Sequence, residues 1–197
     1  MSKNYNKDSL TVDSANTYKI IVLGLGGQGI LFTGKVISTS AFIENYKANF
    51  LPTYGPEVQN GPVKAEIVIS TTQIYNPFID KADYILLFHK HRVNEAKNLI
   101  KENGMVFCKD FSTDLIPAKQ IIKVDTETIT ENLKSPKISN LVMIGAFSGY
   151  TGILDDKSVG ESLKQLLSHK QYNLATLNFK AYKQGKEIFK VSEQVNV

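Results

Sequence analysis

The chain has 197 residues, a length typical of one domain or of two small ones. Apolar residues make up 42% and charged residues 21% of the sequence, a mixture that excludes a disordered, collagen-like or membrane-spanning protein. The net charge is +4, and because lysines are dispersed among acids along the whole chain, the sequence does not indicate a nucleic-acid-binding surface.

The polar N-terminus, residues 1–17, is expected to form a flexible tail, followed by one folded domain over residues 18–190. An apolar, β-branched run over residues 18–23 predicts a buried parallel strand. A glycine-rich turn at residues 24–29 ends this strand, and helical spacing of apolar residues follows over residues 30–46. Because the N-terminus lacks the apolar core of a signal peptide, we expect a cytoplasmic protein.

Further strands and helices alternate along the chain. Strands are predicted over residues 49–51, 63–70, 82–88, 105–109 and 120–124, and helices over residues 90–102, 126–133, 157–168 and 174–189. This alternation predicts a single-domain α/β fold, a three-layer Rossmann-like sandwich with a mostly parallel, mixed sheet. Strand 63–70 is expected to be half-buried, and because no crossover helix precedes it, part of the sheet is expected to be antiparallel.

The glycine-rich turn fits the pattern G-x-G-x-x-G between a strand and a helix, with glycines at positions 24, 26 and 29. Such a turn brings backbone N–H groups close to a phosphate at a helix N-terminus. The complete dinucleotide pattern also needs an acid at the end of the second strand, where the sequence reads Phe50-Leu51-Pro52-Thr53. Glu44 precedes that strand and is expected on the helix. The turn therefore predicts an anion site or a simple strand–helix connection.

The rest of the chain carries no evident catalytic set. The loop over residues 54–62 contains two glycines and two prolines and is expected to be rigid, with Glu57 a solvated carboxylate. His89 and His91 lack a third ligand nearby in the sequence, so we expect no metal site. The single cysteine, Cys108, excludes a cluster held by four thiolates of this chain and is expected to be a core or edge thiol.

Three motifs together resemble the gamma subunit of 2-oxoacid:ferredoxin oxidoreductases. They are GLGGQG at residues 24–29, LPTYGPE at residues 51–57 and NLVMIGA at residues 140–146. Their order and spacing are similar to the family over residues 18–190. Within the family, the sequence is most similar to the 2-oxoglutarate and branched-chain 2-oxoacid types.

The resemblance implies a non-catalytic subunit that is inactive alone and works with alpha, beta and ferredoxin-like delta subunits. That complex decarboxylates a 2-oxoacid, expected to be 2-oxoglutarate, forms an acyl-CoA and reduces ferredoxin. Thiamine diphosphate and the iron–sulfur clusters would lie in the partner subunits, with no cofactor bound tightly by this chain. The expected contacts to coenzyme A phosphates are Gly24, Gly26, Gly27, Gln28, Gly29 and Lys35.

The resemblance also assigns a loop or interface role to Tyr54, Gly55, Pro56, Glu57, Gln59, Asn60 and Gly61. The family usually continues this loop as x-R-G-G, whereas Gln59 and Asn60 stand here in place of Arg and Gly. Gln59 donates hydrogen bonds without a charge, and Asn60 tolerates positive φ. Exposed apolar docking surface is expected at residues 54–62 and 145–152. A stand-alone nucleotide- or dinucleotide-binding reductase or regulator, and a turn that binds nothing, remain alternatives.

Overall fold

The computed structural model describes residues 16–55, 61–167 and 172–190, which contain six strands and six α-helices. The strands are β1 Thr17–Leu25, β2 Lys47–Tyr54, β3 Pro62–Ser70, β4 Ala82–Leu87, β5 Ile100–Cys108 and β6 Ile121–Lys123. The helices are α1 Ile30–Ile43, α2 Val93–Leu99, α3 Thr126–Asn132, α4 Ser139–Thr151, α5 Asp156–Leu166 and α6 Tyr172–Lys190. Residues 1–15 of the expected tail lie outside the described residues, and Thr17 already belongs to β1.

All six strands form one sheet in the order β2-β3-β1-β4-β5-β6. Strands β1, β4, β5 and β6 run parallel, whereas β3 is antiparallel to both of its neighbours, β1 and β2. The short connection between β2 and β3 imposes this direction, since a parallel neighbour would need a crossover. The predicted mixed α/β sheet is therefore confirmed.

The two faces of the sheet bury different side chains, because successive residues of a strand point to opposite sides. Ile20 and Val22 of β1 pack in the larger core cluster, which contains residues of α1, α4, α5 and α6. Ile21 and Leu23 pack in a smaller cluster with residues of α2 and of the loops that follow β3 and β5. Helices and loops thus cover the sheet on both sides, as the sandwich prediction requires.

Helices α4 and α6 approach each other backbone to backbone. A Cβ added to Gly145 would overlap the carbonyl oxygen of Tyr182, and one added to Gly185 would overlap that of Val142. Residues 141–148 are buried. The prediction of docking surface at residues 145–152 is therefore wrong for residues 145–148, because they pack in the core, whereas Tyr150 in the second half of the segment is 44% exposed.

Other large apolar side chains are also exposed on the described surface. They include Phe42, Tyr54, Tyr75 and Phe78. Tyr54 lies in the other segment expected to dock a partner, and its side chain is 64% exposed. None of the described helices is long and apolar enough to cross a membrane.

Three predicted elements differ from those observed. Strand β2 extends over eight residues because it pairs with β3 from Lys47 to Tyr54, and Pro52 is tolerated because β2 lies at the edge of the sheet. Strand β3 is buried on both faces from Ala65 to Ser70 rather than half-buried, because Ile67 and Ile69 pack in the larger core cluster and Val68 packs in the smaller one on the opposite face. The helix expected over residues 90–102 ends at Leu99, where the chain turns extended and enters β5.

Candidate anion-binding site

The glycine-rich turn lies at the carboxyl end of β1, where the chain passes into α1. Because β1 and β4 are parallel, the segment that follows β4 reaches the same edge of the sheet. Strand β3 enters the sheet at this edge, since Leu25 at the end of β1 pairs with Pro62 at the start of β3. In open α/β sheets, ligands bind outside the carboxyl ends of the parallel strands.

Hydrogen bonds hold the turn in one conformation. The N–H of Gly26 donates to the carbonyl oxygen of Gly61 at 2.9 Å, and that of Gln28 to Leu25 at 3.2 Å. The side chain of Gln28 accepts from the N–H of Leu25 at 2.8 Å and donates to the carbonyl of Phe88 at 3.4 Å. The Gln28 side chain thus joins the turn to Phe88, the residue that follows β4.

Several N–H groups of the turn and the first helical turn point to no acceptor within residues 16–55, 61–167 and 172–190. They belong to Gly27, Gly29, Ile30, Leu31 and Phe32. Gly29 occupies the cap position of α1 with φ 75° and offers no side-chain cap. An anion at this helix end would satisfy these donors and interact favourably with the helix dipole.

Among the described residues, the space beside Gly27 is open, whereas the space beside Gly29 is filled. A Cβ at Gly27, where φ is +88°, would meet no atom of residues 16–55, 61–167 and 172–190 within 4 Å. A Cβ at Gly29 would lie 2.6 Å from Nδ2 of Asn140, a buried residue in the first turn of α4. A ligand would therefore approach the turn from the side of Gly27.

The base of the 54–62 loop lies against the turn. The N–H of Gly55 donates to the carbonyl of Pro62 at 2.8 Å, and the carbonyl of Gly61 accepts from Gly26. The predicted loop residues Pro56, Glu57, Gln59 and Asn60 lie outside the described residues. The structure thus brings parts of all three resemblance motifs to one edge: the turn, the loop base and Asn140.

Two exposed lysines belong to the chain segments that flank the turn. Lys35 is exposed on α1, six residues after Gly29, about 9 Å along the helix axis. Lys90 is exposed in the segment that follows β4. The family resemblance implies Lys35 but not Lys90, which reaches this edge through the parallel pairing of β1 and β4.

The two histidines beside Lys90 contact each other rather than forming a recognisable metal site. Nδ1 of His89 accepts from the N–H of His91 at 3.3 Å, and their rings pack edge to face. Burial, followed by the charges of His91 and Lys90, lowers the pKa of His89. In the part of the chain that the structure describes, no cluster of three or more His, Cys, Asp or Glu could hold a metal ion.

Glu44 and the sheet order disfavour a dinucleotide site. Oε1 of Glu44 accepts hydrogen bonds from the N–H of Asp155 at 2.8 Å and from the hydroxyl of Ser158, so this carboxylate joins α1 to α5. Strand β2 is separated from β1 by β3. An acid at the end of β2 would therefore not lie on the strand beside the turn.

Cys108 is fully buried at the end of β5, as expected for a core thiol. Burial raises the pKa of Cys108 to about 11. At neutral pH the side chain is therefore a thiol and not a nucleophilic thiolate.

Known proteins match this chain over most of its length. The KorC subunit of 2-oxoglutarate synthase from Methanocaldococcus jannaschii is 30% identical over 178 residues, which cover 87% of this chain and 94% of that subunit. Other relatives are named as subunits of ketoisovalerate oxidoreductase and of pyruvate synthase.

Solved structures share the fold of this chain. The gamma subunit of a keto/oxoacid ferredoxin oxidoreductase from Geobacter sulfurreducens aligns with a TM-score of 0.71 and 20% identity, over 87% of this chain and 95% of that chain. The 2-oxoglutarate:ferredoxin oxidoreductase from Magnetococcus marinus, with 2-oxoglutarate, coenzyme A and succinyl-CoA bound, aligns with a TM-score of 0.79 and 23% identity, over 89% of this chain and 31% of that chain. The family model described as pyruvate ferredoxin/flavodoxin oxidoreductase matches residues 19–188. The chain therefore belongs to this family, as a gamma subunit of a 2-oxoacid:ferredoxin oxidoreductase.

Proposed function

We propose that this gamma subunit binds the phosphates of coenzyme A at the glycine-rich turn while its partner subunits carry out the chemistry. The observation that carries the proposal is a set of backbone N–H groups without acceptors in the described residues, those of Gly27, Gly29, Ile30, Leu31 and Phe32. Gly27, the first of these residues, has open space beside it among the described residues. Phosphate oxygens are strong acceptors, and a fixed set of backbone donors meets them without rearrangement.

The electrostatics of the turn favour an anion. The amino end of α1 carries the positive end of a helix dipole, which contributes about 0.3–1 kcal/mol near an exposed terminus. Lys35 and Lys90 add mobile positive charges beside it. The bound coenzyme A in the Magnetococcus complex, whose matching region has this fold, is consistent with a subunit of this kind taking part in coenzyme A binding.

The complex we propose contains alpha, beta and ferredoxin-like delta subunits, with thiamine diphosphate and iron–sulfur clusters in these partners.

Its substrate is 2-oxoglutarate, because the KorC relative matches along 94% of its own length at 30% identity. Assays of the assembled complex with 2-oxoglutarate, pyruvate and 3-methyl-2-oxobutanoate test the substrate. A kcat/KM highest for either of the other two acids would overturn this part of the proposal.

The subunit is inactive alone in this proposal. The purified chain, supplied with 2-oxoglutarate, coenzyme A and a viologen acceptor, should produce no reduced viologen. The same assay with partner subunits added provides the positive control. Turnover by the chain alone would contradict a non-catalytic role.

Coenzyme A binding is tested by Gly27→Asn in the assembled complex. Asn tolerates positive φ, and its side chain would occupy the open space beside the turn. We expect the KM for coenzyme A to rise at least fivefold while the KM for the 2-oxoacid stays within twofold. An unchanged KM for coenzyme A in a folded complex would place the phosphates elsewhere.

The matched control is Gly152→Asn. Gly152 has φ +66° and is likewise open, so the two variants impose a similar backbone demand. It follows α4 at the end opposite Asn140, about 18 Å away along the helix axis. This control should leave both KM values unchanged.

Lys35→Ala tests the charge beside the turn separately. Loss of a shielded phosphate contact of about 1.4 kcal/mol would raise the KM for coenzyme A about tenfold. If Gly27→Asn raises this KM and Lys35→Ala does not, the turn binds the phosphates and Lys35 is a solvated helix residue.

A further inference from the structure

A buried arginine lies next to the turn. Arg92 is the only arginine among the 23 basic residues of the chain and is 8% exposed. Its guanidinium is paired with Glu95 of α2: Nε donates to Oε2 at 2.8 Å, and Nη2 lies 2.5 Å from the same oxygen. The pair therefore holds the arginine head in one orientation.

The other edge of the guanidinium contacts the two strands that frame the site. Nη1 donates to the carbonyl oxygen of Gly24 at 3.1 Å and lies 3.5 Å from that of Val63. Gly24 and Val63 are register partners in β1 and β3. Arg92 thus contacts the backbone just before β1 enters the turn and just after the 54–62 loop enters β3.

Pairing between β1 and β4 ends before Gly24, since its last partners are Leu23 and Leu87. Beyond that point the N–H of Phe88 donates a hydrogen bond to the carbonyl oxygen of Leu23, and the Gln28 side chain donates one to the carbonyl oxygen of Phe88. Beyond the last β1–β4 pair, the hydrogen bond from the Arg92 guanidinium to the carbonyl oxygen of Gly24 joins the segment after β4 to the first glycine of the turn.

The simultaneous contacts with Glu95 and Gly24 require the planar guanidinium of an arginine. A planar guanidinium can bind a carboxylate with one edge and a carbonyl with another, whereas a lysine ammonium cannot hold both in a fixed geometry. The Arg92 side chain is 10% exposed and that of Glu95 is 36% exposed, so the guanidinium loses hydration while its partner stays partly in water, and such a pair adds little stability. A role in positioning explains why a buried cation occupies this place.

We propose that Arg92 is a positioning residue for the anion site. It fixes Gly24 of β1 and Val63 of β3 relative to each other, and so limits movement of the turn that carries the N–H groups of Gly27 and Gly29. Arg92 itself does not contact the ligand. This inference rests on the proposed binding of coenzyme A phosphates at the turn.

The test uses the assembled complex with Arg92→Lys, and with Lys97→Met as the control. Lys97 is an exposed cation on the same helix, α2. For Arg92→Lys we expect the KM for coenzyme A to rise at least fivefold, with kcat and the KM for the 2-oxoacid within twofold. A merely structural role would instead lower the melting temperature and the yield of active complex without moving the KM for coenzyme A.

The outcomes separate this inference from the proposed function. If Gly27→Asn raises the KM for coenzyme A and Arg92→Lys does not, Arg92 is not a positioning residue, although the phosphate site stands. If neither variant changes it, both proposals fail. Should Arg92→Lys not assemble, Glu95→Gln loosens the guanidinium without removing it. We then expect a smaller rise in the same KM, and an unchanged value would overturn the inference.

Discussion

Asn140 lies against Gly29, so that a Cβ at Gly29 would be only 2.6 Å from Nδ2 of Asn140. Oδ1 of Asn140 accepts from the N–H of Leu141 at 3.1 Å, which orients the amide. The contact joins the start of α1 to the first turn of α4, and these two places carry separate parts of the sequence resemblance. Gly29 is therefore required both by its φ of +75° and by its neighbour.

Gly29→Ala should destabilise the chain more than Gly152→Ala does. Both positions have positive φ, which costs an L-residue about 1–2 kcal/mol. Only Gly29 adds a steric overlap, which we expect to cost about 1 kcal/mol more. Urea unfolding of the full chain measures the two free energies of unfolding.

A double variant tests the steric part of this account. In Gly29→Ala/Asn140→Ala, the overlap is removed while the backbone strain remains. The double variant should therefore lose less free energy of unfolding than the sum of the losses in the two single variants. Strict additivity of the two single effects would contradict a direct clash between Gly29 and Asn140.

Gly145→Ala should destabilise the chain by about 3 kcal/mol or more, because its Cβ would overlap the backbone of α6 at Tyr182. Gly160→Ala is the matched control on α5, since its Cβ would meet only the ring of Phe179 at 3.4 Å. There the better helix propensity of alanine should leave stability unchanged or raise it by up to about 1 kcal/mol. Thermal or urea unfolding compares the two variants, and equal effects would contradict the close approach of α4 and α6.

Asp156 should stabilise the fold in a pH-dependent way. Burial raises its pKa, but hydrogen bonds from Lys183, Lys186 and Tyr182 outweigh burial and lower the pKa of Asp156 to about 2, from an ordinary value of 3.8. A depressed carboxylate pKa stabilises the folded state above the unfolded value. That contribution is therefore fully present at pH 7 and is lost as the pH falls from about 4 to about 2.

We expect Asp156→Asn to lower the free energy of unfolding by about 2 kcal/mol at pH 7, and by less at pH 3. Glu161→Gln on the same helix is the control, because the Glu161 carboxylate lies 3.8 Å from Lys164 and is about half exposed. It should change stability by less than about 0.5 kcal/mol. A cost of Asp156→Asn that stays constant between pH 7 and pH 3 would refute the role of its charge.

Cys108 should resist alkylation in the folded chain. Its pKa of about 11 leaves little thiolate at pH 8, and the side chain is fully buried. With iodoacetamide we expect labelling at least about a hundredfold slower than in urea-unfolded protein. Because the chain has a single cysteine, mass spectrometry gives the rate directly. Equal rates in the folded and unfolded chain would mean that the thiol is accessible.

Local sequence patterns predicted the part of the site built from neighbouring residues. The apolar run before Gly24 and the glycines themselves define the strand, the turn and the start of α1. The absence of a crossover between β2 and β3 predicted the antiparallel strand. These features depend on residues close together in the chain, which is why sequence reasoning identifies them.

Contacts between distant segments account for what the sequence analysis missed. Ile100 was expected in a helix, but it pairs with Ala82 and starts β5. The small residues from Gly145 onward suggested a docking surface because their partners lie far away on α6. Arg92 was not identified as a site residue, although its being the only arginine was a visible signal, because Gly24 lies 68 positions away.

The most direct measurement is a structure of the assembled complex with coenzyme A. We predict a phosphate oxygen within hydrogen-bond distance, about 3 Å, of the backbone nitrogen of Gly27, Gly29 or Ile30. We also predict that the guanidinium of Arg92 remains hydrogen-bonded to Gly24 and makes no contact with the ligand. Coenzyme A bound with its phosphates away from this turn would contradict the central claim.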